Sequence, residues 1–273
     1  MGPLLWNVFV DDLKPDINCI KYADDTTVYN IIRKSDVTVT QSTSRSASIS
    51  FASNPLQTAA TYASTWCKDN SMLLNATKSQ TINFSLQKKI DCAPIRVNDT
   101  EIEDLSAVKL LGVKFDSHMK FTNHVESVID KAKPAVHAII QLKKIGVTSI
   151  SLCRFYQSRV LSILAYAAPS WFPYLSKNDK EKLERLQKLC LRVILPDIDN
   201  YEERLSSLNL ESLSVHLDIV CLKYVSKVSS NTDHPLARYQ PQLSTTVKTH
   251  RKGLARPTSR TALCGRSLFH KYF

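Results

Sequence analysis

Asp24 and Asp25 stand side by side in the tetrapeptide Tyr22-Ala23-Asp24-Asp25, between apolar, β-prone residues. Adjacent carboxylates repel each other, so a fold that keeps both ionised must offset that repulsion. A divalent cation does so, most commonly Mg²⁺ acting with phosphate substrates. Taken alone, an acidic dipeptide is more often part of an ordinary solvated turn. Lys78, by its residues alone, reads as a surface lysine near the start of a strand. Arg185, Lys188 and Arg192 recur at spacings of three and four, which lines them along one side of a helix. Such a stripe suits phosphates. Glu181 and Glu184 precede Arg185 and Lys188 by four residues, so a salt-bridge lattice is the other reading of that side.

The charge around these residues is uneven. The 273 residues carry 36 Lys+Arg against 25 Asp+Glu, a formal net charge of +11. Residues 1–130 hold 13 basic and 15 acidic side chains, and residues 131–273 hold 23 and 10. A near-neutral half with an acidic pair, followed by a basic half, suggests a polyanion held by one part and acted on by the other. General solubility charge is the alternative. Apolar content of 43% and charged content of 22% belong to a globular chain long enough for one large domain or two small ones.

Seven cysteines are scattered from Cys19 to Cys264 without a C-x-x-C pair, which reads as reduced thiols in the cytosol or nucleus. No Cys/His spacing suggests zinc, and His118 and His124 have no cysteine near them in sequence. The apolar run Leu4–Val10 is short, lacks a basic flank and ends in Asp11-Asp12; it is neither a signal peptide nor a membrane span. The expected location is nucleus or cytoplasm, not the secretory route, with no membrane partner.

The elements that must position these residues read as follows. Leu4, Leu5, Val8, Phe9 and Leu13 share a helical face, so residues 3–13 predict a short amphipathic helix with Pro3 near its start. Residues 17–23 and 26–32 are strands joined by Asp24-Asp25 as a two-residue turn, a poor choice where Asn-Gly is favoured. A local rule broken at a turn points toward function. Residues 35–53 read as a loop. Asn54-Pro55 starts a helix with Leu56, Ala59, Ala60, Ala63, Trp66 and Cys67 inward. A strand at 80–86, a hairpin at Asn98-Asp99 and a strand Val108–Phe115 interrupted by Gly112 follow. Thr122 and Ser149 are expected to cap two helices, the first crossing Pro134. Residues 178–195 predict a third, with Leu183, Leu186, Leu189, Cys190 and Val193 inward, and residues 211–228 a fourth. Beyond residue 230 the periodicity fades into a basic tail of Lys248, Arg251, Lys252, Arg256 and Arg260.

Several of these segments together resemble the reverse transcriptases of non-LTR (LINE-type, jockey-like) retrotransposons. Gly2-Pro3-Leu4-Leu5-Trp6 through Asp11-Asp12-Leu13, then Tyr22-Ala23-Asp24-Asp25, resemble the family's catalytic stretch. Trp66 through Leu73-Leu74-Asn75-Ala76-Thr77-Lys78-Ser79 is similar to its W…L-x-x-N-x-x-K-[ST] segment, and Val108–Asp116 to its L-G-V-x-x-D strand. Tyr166-Ala167-Ala168-Pro169-Ser170-Trp171 and residues 178–195 resemble the helical region that follows. The likeness keeps the family's order over residues 2–195 and runs more loosely to about 228.

The resemblance implies an α+β fold: an incomplete antiparallel palm-type sheet with flanking helices, then a mainly helical thumb and C-terminal region. It implies a partial palm over residues 1–118, a thumb-like region over 119–200 and a helical extension with a basic tail over 201–273. It also implies RNA-directed DNA polymerisation by two Mg²⁺ ions roughly 3.5–4 Å apart. Asp24 would be the principal metal ligand and Asp25 would assist. Because alternate residues of a strand face opposite ways, the two are equivalent ligands only if the turn rotates one. Tyr22 would lie beside the primer terminus, and Lys78 would approach the triphosphate as a general acid. Leu111-Gly112-Val113 would grip the primer, Gly112 letting backbone approach backbone. Arg185, Lys188 and Arg192 would contact duplex phosphates; Trp66 and Trp171 read as core anchors. Partners are then an RNA template, a DNA primer and, in the intact family, deoxynucleoside triphosphates. The chain starts within the family's pattern, before which a fingers region and another catalytic aspartate are expected. Asp11, Asp12 and Asp116 are the remaining acids in reach of comparison. The expectation is a polypeptide inactive by itself; a non-catalytic basic RNA/DNA-binding protein derived from such an element is the alternative.

Overall fold

The computed structural model describes residues 2–31, 38–40, 48–50, 54–84, 94–237, 267, 268 and 272. The fold is α+β, with small antiparallel hairpins and a larger share of helix. Contacts divide it into two units, Met1–Val108 and Lys109–Phe273. The basic tail residues 248–260 lie outside the described residues.

In the first unit, α1 (Gly2–Phe9) leads to a hairpin of β1 (Asn18–Tyr22) and β2 (Asp25–Tyr29). Tyr22 pairs with Asp25, so the two-residue turn is Ala23-Asp24 and not Asp24-Asp25. Ala23 takes φ 51°, and the turn shifts one residue toward the N-terminus because Asp25 joins the ladder. The expected inward face of α1 is also corrected. Leu5, Val8 and Phe9 are exposed, while Val10 and Leu13, just past the helix end, are buried. Inside the stretch read as a loop, β3 (Thr38–Thr40) pairs with β4 (Ser48–Ser50).

Helix α2 (Pro55–Asp69) begins as its sequence predicts: Asn54 accepts from the Leu56 N–H at 3.1 Å, and Pro55 occupies the first turn, where its missing donor costs nothing. Its Trp66 and Cys67 join Val10 and Leu13 in a small core, with Trp6, Ala63, Met72 and Leu74 packed around it. The strand expected at 80–86 is a single bridge, Thr81 to Asp104. There the Asn83 amide donates to the Asp104 carboxylate at 3.0 Å instead of extending a ladder; residues 85 and 86 lie outside the described residues. Strands β5 (Ile95–Val97) and β6 (Thr100–Ile102) form the expected hairpin, turning at Asn98 and Asp99 with φ 49° and 63°. Two left-handed residues match the twist of the flanking strands.

The expected strand Val108–Phe115 is instead two strands, β7 (Ala107–Leu110) and β8 (Val113–Asp116). Leu111 (φ 46°) and Gly112 (φ 85°) make the turn, and the division between the units falls within β7. In the second unit α3 (Thr122–Lys144) runs through Pro134. Its N-cap is Phe121, in the left-handed region, not Thr122. Asp116 orders the turn that leads into the helix, its carboxylate accepting from the N–H groups of His118, Lys120 and Phe121 at 3.1, 3.0 and 2.7 Å. Thr148, not Ser149, caps α4 (Ser149–Phe155), accepting from the Ser151 N–H.

A π-helical turn, Tyr156–Leu161, leads into α5 (Ser162–Ala165) and α6 (Ala168–Trp171). Helix α7 (Lys177–Ile194), α8 (Tyr201–Ser207) and α9 (Leu213–Ser229) complete the bundle. Val125, Val128, Ala132 and Ile139 of α3 pack with Leu152, Tyr156, Trp171, Leu183, Cys190 and Leu217 in one continuous core. Leu189, expected inward, is 36% exposed, because Leu186 and Cys190 take the inner positions of that turn. Leu268 is buried against this core, and the Tyr272 hydroxyl donates to the Asp218 carboxylate. Among the described residues no helix is long and apolar enough to cross a membrane.

Candidate metal and nucleic-acid sites

The acidic hairpin is held to α1 at two points. The Trp6 indole N–H donates to the Ala23 carbonyl at 2.7 Å, gripping the turn itself. Lys21 reaches the other way, its ammonium donating to the carbonyls of Val10, Asp11 and Leu13 at 2.5, 3.3 and 3.1 Å. Those carbonyls belong to the turn that follows α1, where a cation also complements the negative end of the helix dipole. The turn therefore has a defined position relative to α1. Asp24 occupies the turn, whereas Asp25 sits on β2 directly across from Tyr22, and all three are exposed. Tyr22 and Ile20 share the open face of β1 with 65% and 58% exposure.

Two carboxylates are not the donor set of a two-metal centre. Among the described residues no three His, Cys, Asp or Glu side chains come together in a group able to hold a metal ion. The other acids considered have structural tasks. Asp11 pairs with Lys14 at 3.0 Å, and that hydrogen bond holds its carboxyl below the usual range. Asp12 accepts from the Trp66 indole at 3.1 Å, and Asp116 caps the turn before α3. Among the described residues no set fits a pair of Mg²⁺ ions. Lys78 ends a 3-10 turn, Ala76–Lys78, whose cap Asn75 accepts from the Lys78 N–H at 3.1 Å. Among the described residues no hydrogen bond or ion pair joins the Lys78 side chain to Asp24 or Asp25.

In the second unit, Leu111 is exposed at the β7–β8 turn and Val113 is buried in the core. The close neighbour at Gly112 is a side chain: a Cβ there would lie 3.3 Å from Cε1 of Tyr166. The Tyr166 hydroxyl donates to the Leu111 carbonyl at 2.9 Å, and the Trp171 indole donates to the Tyr166 carbonyl at 2.9 Å. Together they strap the hairpin tip to the α5–α6 corner.

Arg185, Lys188 and Arg192 are all exposed on α7. The ion-pair reading of that side fails at Glu184, which turns inward. Its carboxylate accepts from the Tyr201 hydroxyl at 2.5 Å and from the N–H groups of Leu213 and Ser214 at 3.3 and 3.1 Å. Glu184 thus caps α9, and among the described residues no acid lies within ion-pair distance of Arg185, Lys188 or Arg192. Lys188 instead places its ammonium 4.9 Å from the centre of the Tyr201 ring.

Tyr22, Asp24 and Asp25 are thus brought onto one hairpin, and the three cations onto one helix face. Sequence reasoning missed Trp6, Lys21, Tyr166 and Tyr201. Tyr201 lies 17 residues from Glu184, beyond any helical period. An amphipathic indole at Trp6 signals only that its N–H needs a partner. No protein-family model, curated protein or solved structure matches the chain.

Proposed function

We propose that this chain is a segment of an RNA-directed DNA polymerase of the non-LTR retrotransposon type, and that it does not polymerise DNA by itself. The observation that carries the reading is the hairpin Asn18–Tyr29, which presents Asp24 and Asp25 to solvent beside Tyr22 and is fastened to the preceding helix. The order of the surrounding segments supports it, as does a downstream helix that exposes Arg185, Lys188 and Arg192 on one face. In this reading the hairpins and helices of the first unit are part of a palm, and the helical unit contains the thumb. Template RNA and primer DNA are the partners, and nucleus or cytoplasm the location. Inactivity follows from chemistry: two carboxylates do not hold the two ions that nucleotidyl transfer requires.

The α7 face favours a second reading, a non-catalytic basic RNA/DNA-binding protein. Phosphate contacts of that kind give affinity and salt dependence without sequence preference. The two readings separate by mutation, with binding to an RNA–DNA hybrid followed by fluorescence anisotropy. Under the polymerase reading, Asp24→Asn with Asp25→Asn weakens the loose binding of a single Mg²⁺ ion, the most that two carboxylates hold, and leaves hybrid binding within about two-fold. Replacing Arg185, Lys188 and Arg192 with Ala lowers the salt slope by about 2–3. Unchanged Mg²⁺ binding in the double Asn variant sinks the polymerase reading. An unchanged salt slope in the triple variant sinks the role of α7 in both.

A further inference from the structure

Glu184 precedes Lys188 by one helical turn, in the orientation that favours an ion pair. The fold declines that pair, and the residue that intervenes is Tyr201 of α8. We propose that Tyr201 is the positioning residue of the basic face: its ring seats the Lys188 ammonium for contact with a nucleic-acid phosphate, while its hydroxyl only joins the two backbone N–H groups that already hold Glu184 away from that contact. The inference rests on the reading of α7 as a phosphate-contacting helix.

The geometry on both sides of the ring carries it. One edge is polar and inward: the hydroxyl donates toward Glu184 Oε1 at 2.5 Å and lies 3.1 Å from Gln187 Oε1. Gln187 is itself buried and donates to the Glu211 carbonyl at 2.9 Å, while Glu184 is also tied to the first N–H groups of α9. The carboxylate is therefore satisfied by three donors and has no call on Lys188. Burial, then the Glu184 carboxylate, raise the Tyr201 phenol, so it remains a donor through the neutral range. The other side of Tyr201 is the ring face under the Lys188 ammonium at 4.9 Å. A cation over an aromatic face keeps its full charge and loses rotamer freedom before any ligand arrives, which lowers the ordering cost of binding. A carboxylate in the same place would hold the lysine equally well and cancel its charge.

The test uses the full chain and a non-specific RNA–DNA hybrid, with anisotropy titrations over a salt series. Four variants are compared with wild type: Tyr201→Leu, Tyr201→Phe, Glu184→Gln and Lys188→Ala, together with the Tyr201→Leu/Lys188→Ala double variant. Removing the ring should weaken binding about two- to five-fold, with no further loss when Lys188 is already Ala. Tyr201→Phe should bind like wild type, since Glu184 keeps its two backbone donors. Glu184→Gln should also leave the affinity unchanged, because its charge is already withdrawn. By NMR, the Lys188 ε-methylene should show an upfield ring-current shift that Tyr201→Phe keeps and Tyr201→Leu loses. The inference is overturned if Tyr201→Leu weakens binding equally in both backgrounds, which marks a packing role in α8. It is overturned too if Glu184→Gln tightens binding, or if the ring-current shift is absent in wild type. Wild type that fails to bind the hybrid at low salt, or Lys188→Ala with an unchanged salt slope, instead overturns the phosphate reading of α7 beneath it.

Discussion

His124 shows how a single residue can tie the stability of the helical unit to pH. It is 2% exposed, its ring stands edge-on to Trp171 at 5.1 Å, and its Nδ1 accepts from the Lys114 N–H at 3.3 Å. Nε2 is buried and has no hydrogen-bond partner among the described residues. Burial, and then Lys131 and Lys114, lower its pKa from 6.5 to about 4. Above pH 6.5 the ring is neutral whether folded or unfolded, and it contributes no pH dependence. Between 6.5 and about 4 the unfolded chain takes a proton that the folded one refuses, so stability falls as pH falls. The slope is about 1.4 kcal/mol per pH unit and the whole loss roughly 3 kcal/mol. Below about pH 4 the folded state binds the proton too and the loss levels off. Urea unfolding of wild type and His124→Gln at pH 7 and pH 4.5 checks this: the wild type should lose the larger share, and equal losses would contradict it. Nothing in the sequence around His124 marks it, because its burial comes from α3 meeting α6, far apart in the chain. Asp24-Asp25 was legible for the opposite reason: adjacent charges are visible without a fold.

Elements were read well where one local rule settles them and poorly where a distant side chain does. Asn98-Asp99 turns because both residues tolerate the left-handed region, and α2 starts at Asn54-Pro55 because the cap and first-turn rules coincide there. The α7 stripe followed from spacing alone. The fate of Glu184 did not, since its three donors come from α8 and from the start of α9. Leu111-Gly112 was misread as strand because an apolar run hides a turn, and the Tyr166 strap that stabilises it is 55 residues away. The two left-handed glycines among the described residues allow a matched test. Gly146→Ala, at φ 84° with nothing within 4 Å of the new Cβ, should cost only the backbone term, about 1 kcal/mol. Gly112→Ala, at φ 85°, must also push the Tyr166 ring from 3.3 Å, and should cost about 2 kcal/mol or more. Chemical denaturation of both variants decides it; equal costs would mean the ring gives way freely.

Across the whole molecule, the two units differ in how much they bury. The first gathers Val10, Leu13, Trp66 and Cys67 into its core and leaves Leu5, Val8, Ile20, Tyr22 and Ile31 exposed. The second has a continuous core drawn from α3 through α9. Hydrophobic stabilisation scales with apolar area removed from water, so the first unit should unfold at lower denaturant. The three tryptophans divide usefully, Trp6 and Trp66 in the first unit and Trp171 in the second. A Trp6→Phe/Trp66→Phe variant reporting through Trp171, compared with Trp171→Phe, should show two midpoints in urea; a single shared midpoint would contradict the difference in core size. At this scale belongs the proposed function, a polymerase-type segment that would engage nucleic acid without a complete metal centre. It is tested most directly by primer extension on a primed RNA template with Mg²⁺ and deoxynucleoside triphosphates, using enough chain to bind all the template. The account predicts bound template and no lengthened primer. Extension that Asp24→Ala abolishes would contradict it.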